Sequence, residues 1–67
     1  MAKIQLNGRK LELKTKHSIL TLLKKYNIDD KKIAIELNGE IINRNKYKIV
    51  YVKNKDKIEI VHFIGGG

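Results

Sequence analysis

The sequence predicts an α+β domain in which one helix packs across one face of a mixed sheet, and three observations predict it. Two short alternating runs, Lys3-Ile4-Gln5-Leu6 and Lys10-Leu11-Glu12-Leu13, flank an Asn7-Gly8 pair. A single apolar stripe at helical spacing follows, on Ile19, Leu22, Leu23 and Tyr26. Further alternating runs lie around Asn38-Gly39 and from Lys57 onward. Strands on both sides of one helix fit a layer of sheet covered by that helix.

The first two runs form a hairpin. Asn-Gly readily supplies the two positive-φ residues of a tight turn, and alternation then places Ile4, Leu6, Leu11 and Leu13 on one side of the sheet. Ser18 is the expected N-cap of a helix running to about Tyr26, because its side chain can accept from an unpaired N–H of the first turn. Lys24 and Lys25 fall at the C-terminal end, where cations suit the helix dipole, and Asn27 is the expected left-handed terminator. His17, just outside the cap, reads as a surface residue.

Ile33-Ala34-Ile35-Glu36-Leu37 alternates again, and Asn38-Gly39 turns it into a short strand, Glu40-Ile41-Ile42. Residues 43–56 carry the weakest pattern: a polar start, Tyr47, and the apolar run Ile49, Val50, Tyr51 and Val52. The last strand points Ile58 and Ile60 to one face and Lys57, Glu59, Val61 and Phe63 to the other. The same alternation puts His62 with Ile58 and Ile60, at the margin of the core. With one helix on one face, the opposite face is partly bare. Val61 and Phe63 are expected there, either as an exposed apolar pair that a partner covers or beneath the loop around Tyr47.

Sixty-seven residues with a formal net charge of +8 and no cysteine bound the function. The length allows one small domain, residues 1–64, followed by the glycines 65–67. Absence of cysteine removes disulfides, thiol catalysis and thiolate metal sites, and fits a reducing compartment. No stretch approaches the ~20 apolar residues of a membrane span, and the N-terminus has no apolar signal core, so a cytoplasmic protein is expected. Thirteen of the fifteen basic residues are lysine, and Arg9 and Arg44 are the two arginines. Arginine is the side chain suited to bidentate reading of guanine and phosphate. Scattered lysines on a solvated surface are therefore the first reading of the charge, attraction to an acidic protein partner the second and nucleic acid the third.

No catalytic set and no metal-ligand spacing stands out. The two histidines lie far apart in sequence, and no glycine-rich loop leads from a strand into a helix. A carrier or binding module is expected rather than an enzyme. The feature that points further is Gly65-Gly66-Gly67, placed directly after the apolar run that ends Phe63-Ile64. Three glycines reach roughly 10 Å when extended, and without Cβ atoms they enter channels closed to other residues. They read as an arm that presents a terminal carboxylate to another protein. A frayed end is the competing reading, but the strand meets the glycines with no polar linker between them.

Taken together, Lys3-Ile4-Gln5-Leu6-Asn7-Gly8, the capped helix from Ser18, Ile35-Glu36-Leu37-Asn38-Gly39-Glu40-Ile41, and Asp56 through Gly67 resemble the ubiquitin-like β-grasp proteins. Within these the chain is similar to the sulfur carriers of thiamine biosynthesis, the ThiS family, over nearly its whole length. Lys55 departs from the family pattern, which commonly has glycine before the aspartate, and puts the turn there in question. The resemblance implies that Gly67 is the sulfur attachment site, that Gly65 and Gly66 give access to it, and that Val61, Phe63 and Ile64 dock partners.

It further implies an E1-like enzyme that adenylates the terminal carboxylate with ATP and magnesium. Sulfur would come from a cysteine desulfurase or another donor, and thiazole synthase would accept it. No permanently bound cofactor, nucleic acid or membrane is expected, and the free protein is expected to be a monomer. The alternatives are the small subunit of molybdopterin synthase, a modifier conjugated to lysines, or a basic RNA-binding module of the same fold.

Overall fold

A computed structural model describes residues 1–62 of this protein. Strand β1 (Ala2–Leu6) and β2 (Arg9–Leu13) form the first hairpin, with Ile4 opposite Leu11 and Ala2 opposite Leu13. Asn7 and Gly8 both have positive φ, at 50° and 80°, which is what a two-residue turn matched to the twist of the strands demands. Asn38 and Gly39 repeat the device, at 52° and 86°, between β3 (Ile33–Leu37) and β4 (Glu40–Ile42).

The helix α1 (Ile19–Lys25) is short, and its ends are well defined. Ser18 Oγ accepts from the Thr21 N–H at 3.1 Å. At the other end Asn27 takes a φ of 56° while its N–H donates to the Lys24 carbonyl, and the Ile28 N–H reaches back to the Leu23 carbonyl at 2.9 Å. These two bonds together make the left-handed Schellman terminator expected at Asn27. Ile28 packs against the core beside it. Seven residues would not hold a helix in water; the burial of Ile19, Leu22 and Leu23 holds this one. Tyr26, the fourth residue of the predicted stripe, falls at the C-cap and is exposed.

Strand β5 (Lys57–His62) sits in the middle of a five-stranded sheet of order β2-β1-β5-β3-β4. It runs parallel to β1 and antiparallel to β3, so the sheet is mixed. This order, with one helix against one face, is the ubiquitin-like β-grasp arrangement. Ile4, Leu13, Ile33, Ile35, Ile58 and Ile60 from the strands join Ile19, Leu22 and Leu23 in one core.

Residues 43–52 fold around the helix rather than over the open face. A 3-10 turn (Arg44–Lys46) delivers Tyr47 into the core, where it is 2% exposed. The Tyr47 carbonyl then accepts from the Leu20 N–H and the Val50 carbonyl from the Ile19 N–H, both at 2.9 Å. The loop thereby satisfies backbone donors of the first helical turn. Val52 is buried as well, and its N–H donates to the His17 carbonyl. His17 itself is half-buried, with its ring within 3.3 Å of the Thr15 and Thr21 hydroxyls.

Candidate functional site

Two structural consequences of β5 define the candidate site. As the central strand it pairs with β1 as far as Ile58 and with β3 as far as His62. Its alternation also sends Lys57, Glu59 and Val61 to the face away from the helix. Val61 is 53% exposed. The loop around Tyr47 does not cover it, because Tyr47 is buried in the core with the helix. Phe63 and Ile64, the other expected docking residues, and Gly65, Gly66 and Gly67 lie outside the described residues.

His62 corrects the alternation argument. Its register partner is the buried Ile33, yet His62 is exposed rather than at the core margin. It is the last residue of β5, beyond the buried pair Ile58 and Ile60. Parity alone places a side chain on a face; it does not supply a neighbour to cover it.

Register adds residues that the sequence reading did not single out. Ala34 lies directly opposite Val61, and Ile41 of β4 lies opposite Glu36, which in turn faces Glu59. Ile41 is 74% exposed. The open face therefore carries Ala34, Ile41 and Val61 beside two carboxylates, Glu36 and Glu59. The signal for Ala34 and Glu36 was in the sequence: they have the opposite parity to Ile33, Ile35 and Leu37. Across β1 and β2 the same face bears Lys3, Gln5, Lys10 and Glu12 instead. One half of the open face is thus lysine-rich and the other half carries the paired glutamates.

Nothing in this arrangement activates a nucleophile. Among the described residues no group of histidines and acids could hold a metal ion, and no buried side-chain polar atom lacks a hydrogen-bond partner. Tyr47 carries the resolved perturbation: burial pushes its hydroxyl above the usual value of 10.0 and the Asp30 carboxylate adds to this, while a backbone hydrogen bond with Ile35 and the Arg44 guanidinium oppose it. Arg44 in turn lies 3.6 Å from Asp30 in a partly exposed ion pair. Tyr47 is a core residue, on the opposite side of the sheet from Val61.

Lys55 settles the question about the turn before Asp56. It adopts a φ of 74°, the left-handed conformation that glycine takes without strain, and its N–H donates to the Lys3 carbonyl at 2.7 Å. The turn is kept, at a conformational cost of about 1 kcal/mol or more.

Comparison with known proteins agrees with this geometry. The model of the ThiS family matches residues 3–67. The sulfur carrier protein ThiS of Bacillus subtilis (strain 168) is 42% identical over 65 residues, covering 96% of this chain and 98% of that protein. A thiazole synthase of Paramagnetospirillum magneticum is 38% identical over 97% of this chain, and the match makes up 20% of that protein. The crystal structure of the thiamine biosynthesis protein ThiS from Geobacter metallireducens superposes with a TM-score of 0.85 at 26% identity, covering 97% of this chain and 99% of that one.

Proposed function

This chain belongs to the ThiS family, the sulfur carriers of thiamine biosynthesis, and we propose that the carboxylate of Gly67 is the group that carries the sulfur. The observation that supports this most directly is a family match that runs through residue 67 and so includes all three terminal glycines. The chain contains no cysteine, so no side-chain thiol is available as a persulfide carrier.

The chemistry follows from the carboxylate. It is a poor acyl donor, because displacement would have to expel oxide. An E1-like enzyme using ATP and magnesium attaches AMP to the carboxylate and releases pyrophosphate. A sulfur nucleophile from a cysteine desulfurase or another donor then attacks the acyl carbon. The C–O bond to AMP breaks and AMP leaves with the electron pair. Hydrosulfide as nucleophile leaves a thiocarboxylate on Gly67 directly. A desulfurase persulfide leaves an acyl disulfide, whose S–S bond a thiol reductant then cleaves, the thiol joining the donor sulfur in a new disulfide and the thiocarboxylate departing. Gly65 and Gly66 give the arm a profile narrow enough to thread into both active sites. Catalysis belongs to the partners.

Thiazole synthase is the acceptor in this reading. Two thiazole synthases contain a segment similar to this chain, each over 97% of it. A carrier joined to its acceptor in one polypeptide acts at a high effective concentration, and that arrangement is useful only if the two work on each other. Val61, Phe63 and Ile64 are the proposed docking residues, and Ala34 and Ile41 share the sheet face of Val61.

Intact-protein mass spectrometry after incubation with ATP, a cognate E1-like enzyme and a sulfur source tests the reading. A mass shift equal to replacing one oxygen by sulfur, localised to Gly67, is the expected result. No shift with an activating enzyme that is competent on another carrier would remove it.

A further inference from the structure

The lysine-rich half of the open face contains a cleft of about 440 Å³, bordered by Lys3, Lys10, Lys55 and Lys57 with Gln5 on its floor. Three strands and one loop bring these side chains together. Gln5 of β1 is register partner to both Lys10 of β2 and Lys57 of β5, and Lys55 is drawn alongside by its backbone bond to Lys3. The apolar wall of the cleft comes from the lysine stems beneath their charged heads. Among the described residues none of the four lysines forms an ion pair. Of the two carboxylates at the cleft, Asp56 is already engaged: its oxygens accept from Asn38 Nδ2 at 2.9 Å and from the Lys53 N–H at 2.7 Å.

Lys55 is the telling residue. A lysine held at a φ of 74° is strained where glycine would not be, and strain retained at one position points to a use for the side chain placed there. We infer that this cleft docks an acidic segment of a partner protein, with an apolar side chain seated between the lysines and carboxylates spread over their ammonium groups. The geometry favours such a segment over phosphate. Phosphate sites converge backbone N–H groups, helix N-termini or arginine forks on one point. Here the cations are lysines distributed over three strands, spanning roughly 10 Å across the sheet. That spacing suits several separate single charges.

The cleft borders the start of β5, about 17 Å along the strand from its last described residue, His62. A partner can therefore occupy it while the terminal residues are engaged elsewhere, and the inference stands independently of the chemistry at Gly67.

The test is an amide NMR titration of the full chain with a synthetic octapeptide of alternating glutamate and leucine. The controls are an octapeptide of alternating glutamate and glycine, and inorganic phosphate. Saturable shifts centred on Lys3, Gln5, Lys10, Lys55 and Lys57 are expected with the glutamate–leucine peptide, with much weaker effects from either control. Lys10→Glu with Lys55→Glu should weaken binding about tenfold, and Lys24→Glu with Lys25→Glu on the helix should not. Lys55→Gly separates docking from folding, because relief of strain should raise the unfolding midpoint while loss of the ammonium weakens binding. Absence of saturable shifts, equal binding of the glycine peptide or of phosphate at these residues, or undiminished binding by Lys55→Gly would each overturn the inference.

Discussion

The Asn7 side chain binds both polar backbone groups of Ile60, 53 residues away: its Oδ1 accepts from the Ile60 N–H at 2.7 Å and its Nδ2 donates to the Ile60 carbonyl at 3.3 Å. Strand β1 pairs with β5 only as far as Leu6 and Ile58. Asn7 turns away into the hairpin, and its amide continues the ladder one step further. Asn38 does the same for the start of β5, accepting from the Lys57 N–H through its side chain and donating to the Lys57 carbonyl through its backbone, both at 2.8 Å. Each hairpin turn thus fastens the central strand that leads to the glycines.

Asn7→Ala is expected to destabilise the fold by about 2–3 kcal/mol, because it leaves a part-buried N–H without its partner and places a Cβ residue at positive φ. Asn7→Gly keeps the conformation and should cost less, isolating the hydrogen bonds. Urea unfolding of both variants measures the difference. An Asn7→Gly variant as stable as the parent would show that the Ile60 bonds contribute nothing.

Tyr47 sets an alkaline limit. Its hydroxyl pKa is raised in the fold by burial and by Asp30. The unfolded chain therefore releases this proton first, so the contribution is fully present below about pH 10 and is lost as pH rises through the folded value. Tyr47→Phe keeps the buried ring and is expected to change stability by no more than about 1 kcal/mol at neutral pH. Between about pH 9 and pH 11 the variant should lose stability less steeply than the parent. Parallel curves for the two proteins would contradict the assignment.

Val61→Asp alters an exposed position, so the fold should lose no more than about 1 kcal/mol. Binding to thiazole synthase or to the activating enzyme should weaken about tenfold. Phe63→Asp is expected to weaken the complex with the activating enzyme while leaving the fold intact. Calorimetric titration of both variants reads the effect, and unchanged affinity in both would eliminate the docking assignment.

Deleting Gly66 and Gly67 should abolish sulfur loading while changing stability by less than about 0.5 kcal/mol. Among the described residues the core runs from Ile4 to Ile60, and the two deleted glycines have no side chains to add to it. Normal loading of the truncated chain would end the assignment of Gly67 as the attachment site.

The local structure was legible because its causes are local. Both Asn-Gly turns, the Ser18 cap, the Asn27 terminator and the core residues Ile4, Leu22, Ile35 and Ile58 follow from turn chemistry and from periods of two and 3.6 residues. The family was legible in those segments together with the run into the glycines. Residues 43–56 were not, because their apolar side chains have no regular period, and only packing decides that Tyr47 enters the core while Ile49 and Tyr51 stay exposed. His62 failed for a related reason: alternation predicts direction, whereas burial needs a neighbour. The tertiary structure alone placed Asn7 on Ile60, gathered four lysines from separate segments into one cleft, and twisted Lys55 to a glycine-like angle. Each of these depends on which strands lie side by side, and pairing across some 50 residues leaves no mark on the sequence between them.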